Sequence, residues 1–120
     1  MLYIAVAAIS ERQMLFLERG HLGIVPCSRT ASRAYTLANL EAAYWYLGQY
    51  GRDTFLLSLT PEGYYRERIP EGVYNISSDF NLIIQNVTDS DEGVYYYRIE
   101  PLFGTIYEGS VDVAVKGRYK

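Results

Sequence analysis

Three kinds of side chain in this 120-residue sequence could do chemistry: one thiol, one imidazole and a cluster of carboxylates. Cys27 is the only cysteine, His21 the only histidine, and Asp89, Asp91 and Glu92 stand close together. Nucleophilic catalysis needs a base positioned beside the nucleophile, and His21 lies in the turn Glu18-Arg19-Gly20-His21 and fits no such pattern. Cys27 shares its parity with Gly23 and Val25, which points the thiol inward, and buried structural cysteines are generally inert. A single cysteine forms no internal disulfide. The carboxylates have neither the spacing of a calcium loop nor further oxygen ligands, so no metal and no cofactor is expected. Carboxylate-pair hydrolysis is open to almost any chain with 14 acidic residues, and nothing singles out a pair here. The expectation is a protein that is not an enzyme. One further chemistry is modification: Asn75-Ile76-Ser77 and Asn86-Val87-Thr88 fit the N-glycosylation pattern, which matters only in a secreted chain.

The elements that carry these residues follow from turn signals and alternation. The length suits one domain over residues 1–120. Turn residues recur at short intervals with no repeat or low-complexity tract, which is an all-β pattern. Leu2–Ile9 is too short to span a bilayer and lacks the features of a signal peptide, so it reads as a first strand. Met14–Leu17 and Leu22–Ser28 follow, and helix formers between Tyr35 and Ala42 predict a helical turn inside a long loop from Arg29 to Ala43. Further strands are expected at Tyr44–Leu47, Thr54–Thr60, Tyr64–Ile69, Val73–Ile76, Asp79–Val87, Val94–Ile99 and Val111–Val115. Eleven bases against 14 acids, a net charge of −3, give no electrostatic footprint for nucleic acid or an anionic membrane. Any membrane association would come through a segment outside this chain, and the polar run Lys116–Lys120 reads as the stub of a linker. Thirteen tyrosines exceed what such a core needs, and tyrosine supplies rigid amphipathic contact area.

From Val25 to Val115 the chain resembles the V-set of the immunoglobulin superfamily. The segment Leu82-Ile83-Ile84-Gln85-Asn86-Val87 is similar to the family's L-x-I-x-x-V strand, and Asp91-Glu92-Gly93-Val94-Tyr95-Tyr96-Tyr97 to its D-x-G-x-Y-x-C. The resemblance implies a V-type β-sandwich of two antiparallel sheets with Greek-key connections and about nine strands. It sets Cys27 at the first framework cysteine, Trp45 at the core tryptophan and Tyr95 at the tyrosine corner. Tyr97 stands where the second cysteine belongs. A disulfide there would contribute roughly 2–4 kcal/mol. The Tyr97 ring must instead fill space beside Cys27 and Trp45, and its hydroxyl needs a partner, because burying it unpaired costs roughly 1–3 kcal/mol. Arg68 resembles the arginine that pairs with the aspartate of D-x-G, here Asp91. Gly48 occupies the place of the glutamine of W-Y-x-Q, with Gln49 after it, and no joining-segment motif follows despite Phe103-Gly104, so an antigen-receptor type of pairing is not expected.

Alternation about Trp45 and Tyr97 turns Tyr44, Tyr46, Tyr96 and Arg98 outward, and the resemblance implies that they lie on neighbouring strands of one sheet and share an outer face, which V-set proteins commonly use for docking. The competing reading is an ordinary solvated face. Leu102 and Phe103 tip a hairpin beside the first loop, Ser28–Ala43, poised either for contact or for packing on that loop. The resemblance implies an extracellular recognition domain of a cell-surface receptor, part of a longer extracellular region. Its partner would be a protein, a second copy of itself included, in adhesion or immune-type self/non-self recognition. A module binding a glycan or other non-protein ligand and a structural spacer are the alternatives.

Overall fold

The computed structural model of the chain describes residues 8–117. The expected strand over Leu2–Ile9 falls mostly outside the described residues, as does the end of the polar tail. The two expected opening strands are one element where they can be seen, β1 (Ala8–Glu18). There follow β2 (Gly23–Val25), α1 (Arg29–Ala34), a 3-10 turn at Leu37–Asn39, β3 (Leu40–Gln49), β4 (Arg52–Thr60), β5 (Gly63–Tyr65), β6 (Tyr74–Ile76), β7 (Leu82–Ile84), a 3-10 turn at Asp89–Asp91, β8 (Gly93–Pro101) and β9 (Ile106–Lys116). The nine strands among the described residues form a larger sheet, ordered β1-β9-β8-β3-β4-β5, and a smaller one, ordered β2-β7-β6. The pairings are antiparallel except at one edge, where β1 runs parallel to β9.

Between the sheets lies a core of inward-facing residues that alternate along each strand. Val25, Leu40, Trp45, Leu57, Phe80, Leu82, Ile84, Val87, Tyr95, Ile99 and Val111 are all essentially inaccessible. The expected inward residues of the β7 segment, Leu82, Ile84 and Val87, are among them. Gly23 is held to glycine by packing: an added Cβ would lie 2.7 Å from Val87 Cγ2 and 3.0 Å from Leu17 Cδ1.

Two local expectations are corrected. The expected helical turn forms as the 3-10 turn Leu37–Asn39, and it is preceded by a helix not anticipated there, α1 at Arg29–Ala34. Ser28 caps α1, its hydroxyl accepting from Ala31 N–H at 3.0 Å. The rest of the segment rich in helix formers, from Leu40 on, is drawn into β3 ahead of the expected strand start at Tyr44, because Leu40, Ala42 and Ala43 are buried there and β3 pairs with β8 from Leu40↔Pro101 onward. Burial and strand pairing override a propensity worth tenths of a kcal/mol per residue. The turn between the expected strands Tyr44–Leu47 and Thr54–Thr60 contracts to Tyr50 and Gly51, both at positive φ (52° and 76°), the two-residue geometry that suits the twist of a hairpin.

Candidate functional site

Beneath the larger sheet, the ring of Tyr97 lies 5.2 Å from that of Trp45, and both are buried. The Tyr97 hydroxyl accepts a hydrogen bond from Ser28 N–H at 3.1 Å, so the expected partner is the backbone at the end of the β2 segment. Trp45 Nε1 donates to Phe80 O at 3.0 Å. Cys27 turns its buried thiol toward Asp79 O (3.4 Å) and Asn81 Oδ1 (3.5 Å), while Asn81 Oδ1 also accepts from Cys27 N–H at 3.1 Å. A phenol and a tryptophan hydrogen bond thus link the two sheets.

At the base of β8, Tyr95 donates to Asp91 O at 2.5 Å, which closes the corner expected of it. The Asp91 carboxylate accepts from Thr88 N–H at 2.8 Å and from the Tyr74 hydroxyl at 3.4 Å. The expected Arg68–Asp91 pair is not formed. Tyr74 approaches Asp91 from β6 and, with the Thr88 amide, satisfies the carboxylate, while Arg68 is exposed beside Arg52, Asp53 and Glu67. Burial, with the neighbouring Asp91 charge, pushes the Tyr74 hydroxyl up to about 12 and raises that of Tyr95 as well. Gly93 allows close strand approach, since a Cβ there would sit 2.9 Å from Gly48 O.

The outer face of the larger sheet brings the four expected residues together. Tyr44 pairs across strands with Arg98, and Tyr46 with Tyr96. The Tyr44 and Tyr46 rings stack at 6.4 Å, Tyr46 meets Phe55 edge-on at 5.6 Å, and Phe55 meets Tyr65 at 5.8 Å. The aromatic band thus extends over β3, β4, β5 and β8. Phe55 and Tyr65 were not anticipated. A register shift opposite Trp45 and Tyr46 leaves Leu56 as the extra residue of β4, so that Leu57 faces inward while Phe55 faces out. Gly48 makes room for the band: its added Cβ would lie 2.9 Å from Tyr96 Cε2. Gln49 points away from the face and donates to Ser90 O (2.8 Å) and Glu92 O (2.6 Å).

Arg98 Nε bonds Glu100 and its Nη1 bonds Glu108, two carboxylates around one guanidinium. Beside them Tyr46, Tyr96, Glu108 and Ser110 border a hollow of about 310 Å3. Burial, followed by the charge of Glu100, raises the hydroxyl pKa of both Tyr44 and Tyr46, with Arg98 acting in the opposite direction.

At one end of the sandwich Tyr35 donates to Thr105 O at 2.6 Å and packs on Tyr107 at 5.9 Å, and Leu102 N–H donates to Asn39 O at 3.0 Å. The first loop and the β8–β9 hairpin are therefore tied together. Phe103 is nonetheless 90% exposed and Leu102 is also exposed. Asn75 is half-buried in β6 and accepts from Arg66 at 3.4 Å, whereas Asn86 is exposed after β7. His21 is exposed, 3.9 Å from Glu18. Among the described residues no group of His, Cys, Asp and Glu side chains is arranged to hold a metal, and no helix is long and apolar enough to cross a membrane.

Comparison with known proteins adds lineage to this geometry. No curated protein matches the chain significantly. The first immunoglobulin-like domain of human CD48 antigen is similar in structure, with a TM-score of 0.69 at 14% identity over 90% of this chain and 84% of that one. Murine CEACAM1b gives a TM-score of 0.62 at 17% identity over 88% of this chain, which spans only 51% of it. The tandem V-type regions of VCBP3, a v-region-containing chitin binding protein, give 0.64 at 17% identity, over 86% of this chain and 43% of that one. These likenesses concern the fold. The model of the immunoglobulin V-set domain matches residues 12–116, nearly the whole sequence, and the chain belongs to that family.

Proposed function

We propose that this domain is the extracellular recognition module of a cell-surface receptor, part of a longer ectodomain, and that it binds a protein partner through the aromatic face of its larger sheet. The observation that carries this reading is the contiguous band Tyr44, Tyr46, Phe55, Tyr65 and Tyr96, set around Arg98 on the solvent side of the sheet. Tyrosine and arginine are the residue types that dominate binding energy at protein interfaces. A solvated face has no need of ring-to-ring contact across three strands or of a glycine that makes room for a ring on the fourth. The structural neighbours include adhesion-type immunoglobulin domains; one was solved in a study of cell-adhesive interactions of VGSC beta subunits. In the same reading, Tyr97 replaces the second framework cysteine.

The test is binding of the multimerised domain to a panel of cell-surface ectodomains, with Tyr46→Glu and Tyr96→Glu as variants. Both are expected to abolish binding while leaving the fold intact. Binding that survives both changes would overturn the reading. Sedimentation of the same three proteins tests the homophilic form, in which the wild type alone would dimerise. A second reading, capture of a glycan at the loop end, is favoured by the hollow of about 350 Å3 bordered by Tyr35, Asn39, Leu102 and the exposed Phe103. Glycan-array binding lost in Phe103→Ala would support it.

A further inference from the structure

We propose that the aromatic face receives a basic patch of a different protein, one arginine or lysine of which enters the hollow between Tyr46, Tyr96 and Glu108. The inference rests on the docking-face reading above and adds the chemistry of the partner. At about 310 Å3 the hollow lies at the lower limit of small-ligand sites, roughly 300 Å3, and suits a single long side chain better than a drug-sized molecule. It is lined by Tyr46, Tyr96, Glu108 and Arg98, with Tyr97, Gly109 and Ser110. A cation placed over an aromatic face gains from the ring quadrupole, and a carboxylate beside it adds a charge-assisted hydrogen bond.

Charge decides between partners. Arg98, the basic side chain in the hollow, is already held by two carboxylates, Glu100 and Glu108, so the trio keeps a net negative charge. Glu41 adds to the negative potential at Tyr44, and Glu67 to that at Tyr46. A second copy of this chain would bring the same excess of carboxylates against itself, and like charges juxtaposed across an interface oppose docking. For homophilic docking Arg98 would have to leave its own carboxylates to meet those of its twin. A basic partner needs no such exchange: it meets Glu100 and Glu108 at their exposed edges, with Arg98 held as part of the wall.

The experiment follows backbone amide shifts of the 120-residue chain during titration with three probes: N-acetylarginine amide, N-acetylglutamine amide and N-acetylglutamate amide. The expected result is saturable shifts at Tyr46, Tyr96, Glu108 and Ser110 with the arginine probe alone, weakened by salt. In Glu108→Gln the affinity should fall by at least about fivefold. Melting of each variant confirms its fold, and Glu100→Gln gives an independent reading should Glu108→Gln prove unstable. Saturable binding of the glutamate probe at these amides would overturn the proposal in favour of an acidic partner. Concentration-dependent dimerisation through the same amides would overturn it in favour of a second copy. Equal response to arginine and glutamine probes would also overturn it. Loss of ectodomain binding in Tyr96→Glu without any arginine preference would leave the docking face standing and remove only the basic partner.

Discussion

Tyr97 ties the core together through two different parts of its side chain, and these can be separated experimentally. Its ring fills the space beside Trp45, and its hydroxyl accepts from the Ser28 amide in a buried setting. Tyr97→Phe keeps the ring and strips the amide of its acceptor, so stability measured by denaturant titration should fall by about 1–3 kcal/mol. Tyr97→Ala also opens a cavity and should cost about 3–5 kcal/mol. Because Cys27 is the only cysteine and its thiol is buried against Asp79 O and Asn81, reducing agent should leave the melting temperature of the monomer unchanged. A melting temperature lowered by reductant would point to pairing of Cys27 between chains. The need of the Tyr97 hydroxyl for a partner was legible from burial alone. The identity of that partner was not, since Ser28 lies 69 positions away in the chain.

Among the elements, α1 and β3 show how short-range signals are used or overruled. Ser28 serves two elements, with its amide bound to Tyr97 and its hydroxyl capping α1. Ser28→Ala removes only the cap and should cost about 1 kcal/mol, measurable as a shift in denaturation midpoint with the Tyr97 contact retained. In β3, Gly48 sits under the Tyr96 ring, with Asp53 Oδ1 3.0 Å from where a Cβ would be. Both neighbours are ends of side chains that can give way, so Gly48→Ala should cost only about 1 kcal/mol, at the low end for overpacking. Its larger effect is expected on ectodomain binding, because the displaced ring belongs to the aromatic band. The alternation of Tyr44, Trp45 and Tyr46 was readable as a strand with one face in and one out. The outward turn of Phe55 was not, because the extra residue of β4 exists only in the pairing of β3 with β4.

For the molecule as a whole, the buried tyrosines set a limit at high pH. Tyr74 is raised from 10.0 to about 12 by burial and by Asp91, and Tyr95 is shifted in the same direction. Below pH 10 both states keep the proton and the stabilisation is complete; between about 10 and 12 the unfolded chain releases protons that the folded chain retains, so stability falls as pH rises. Denaturant titrations across that interval should show the decline, with a shallower slope in Tyr74→Phe. From its residues alone the sequence determined the fold class, the run from Leu82 to Tyr97, the inward set at Val25, Cys27, Trp45, Tyr95 and Tyr97, and the outward set at Tyr44, Tyr46, Tyr96 and Arg98. The all-β class and the inward and outward sets follow from turn signals and period-two alternation, which are properties of neighbouring positions, while the V-type sandwich and the run from Leu82 to Tyr97 rest on the resemblance to the V-set. The place of the helix, the satisfaction of Asp91 by Tyr74 in place of Arg68, the reach of the aromatic band to Tyr65 and the gathering of Glu100 and Glu108 around Arg98 were decided only in the tertiary structure. Each depends on register between strands distant in sequence, and register is set by the packing of both sheets at once.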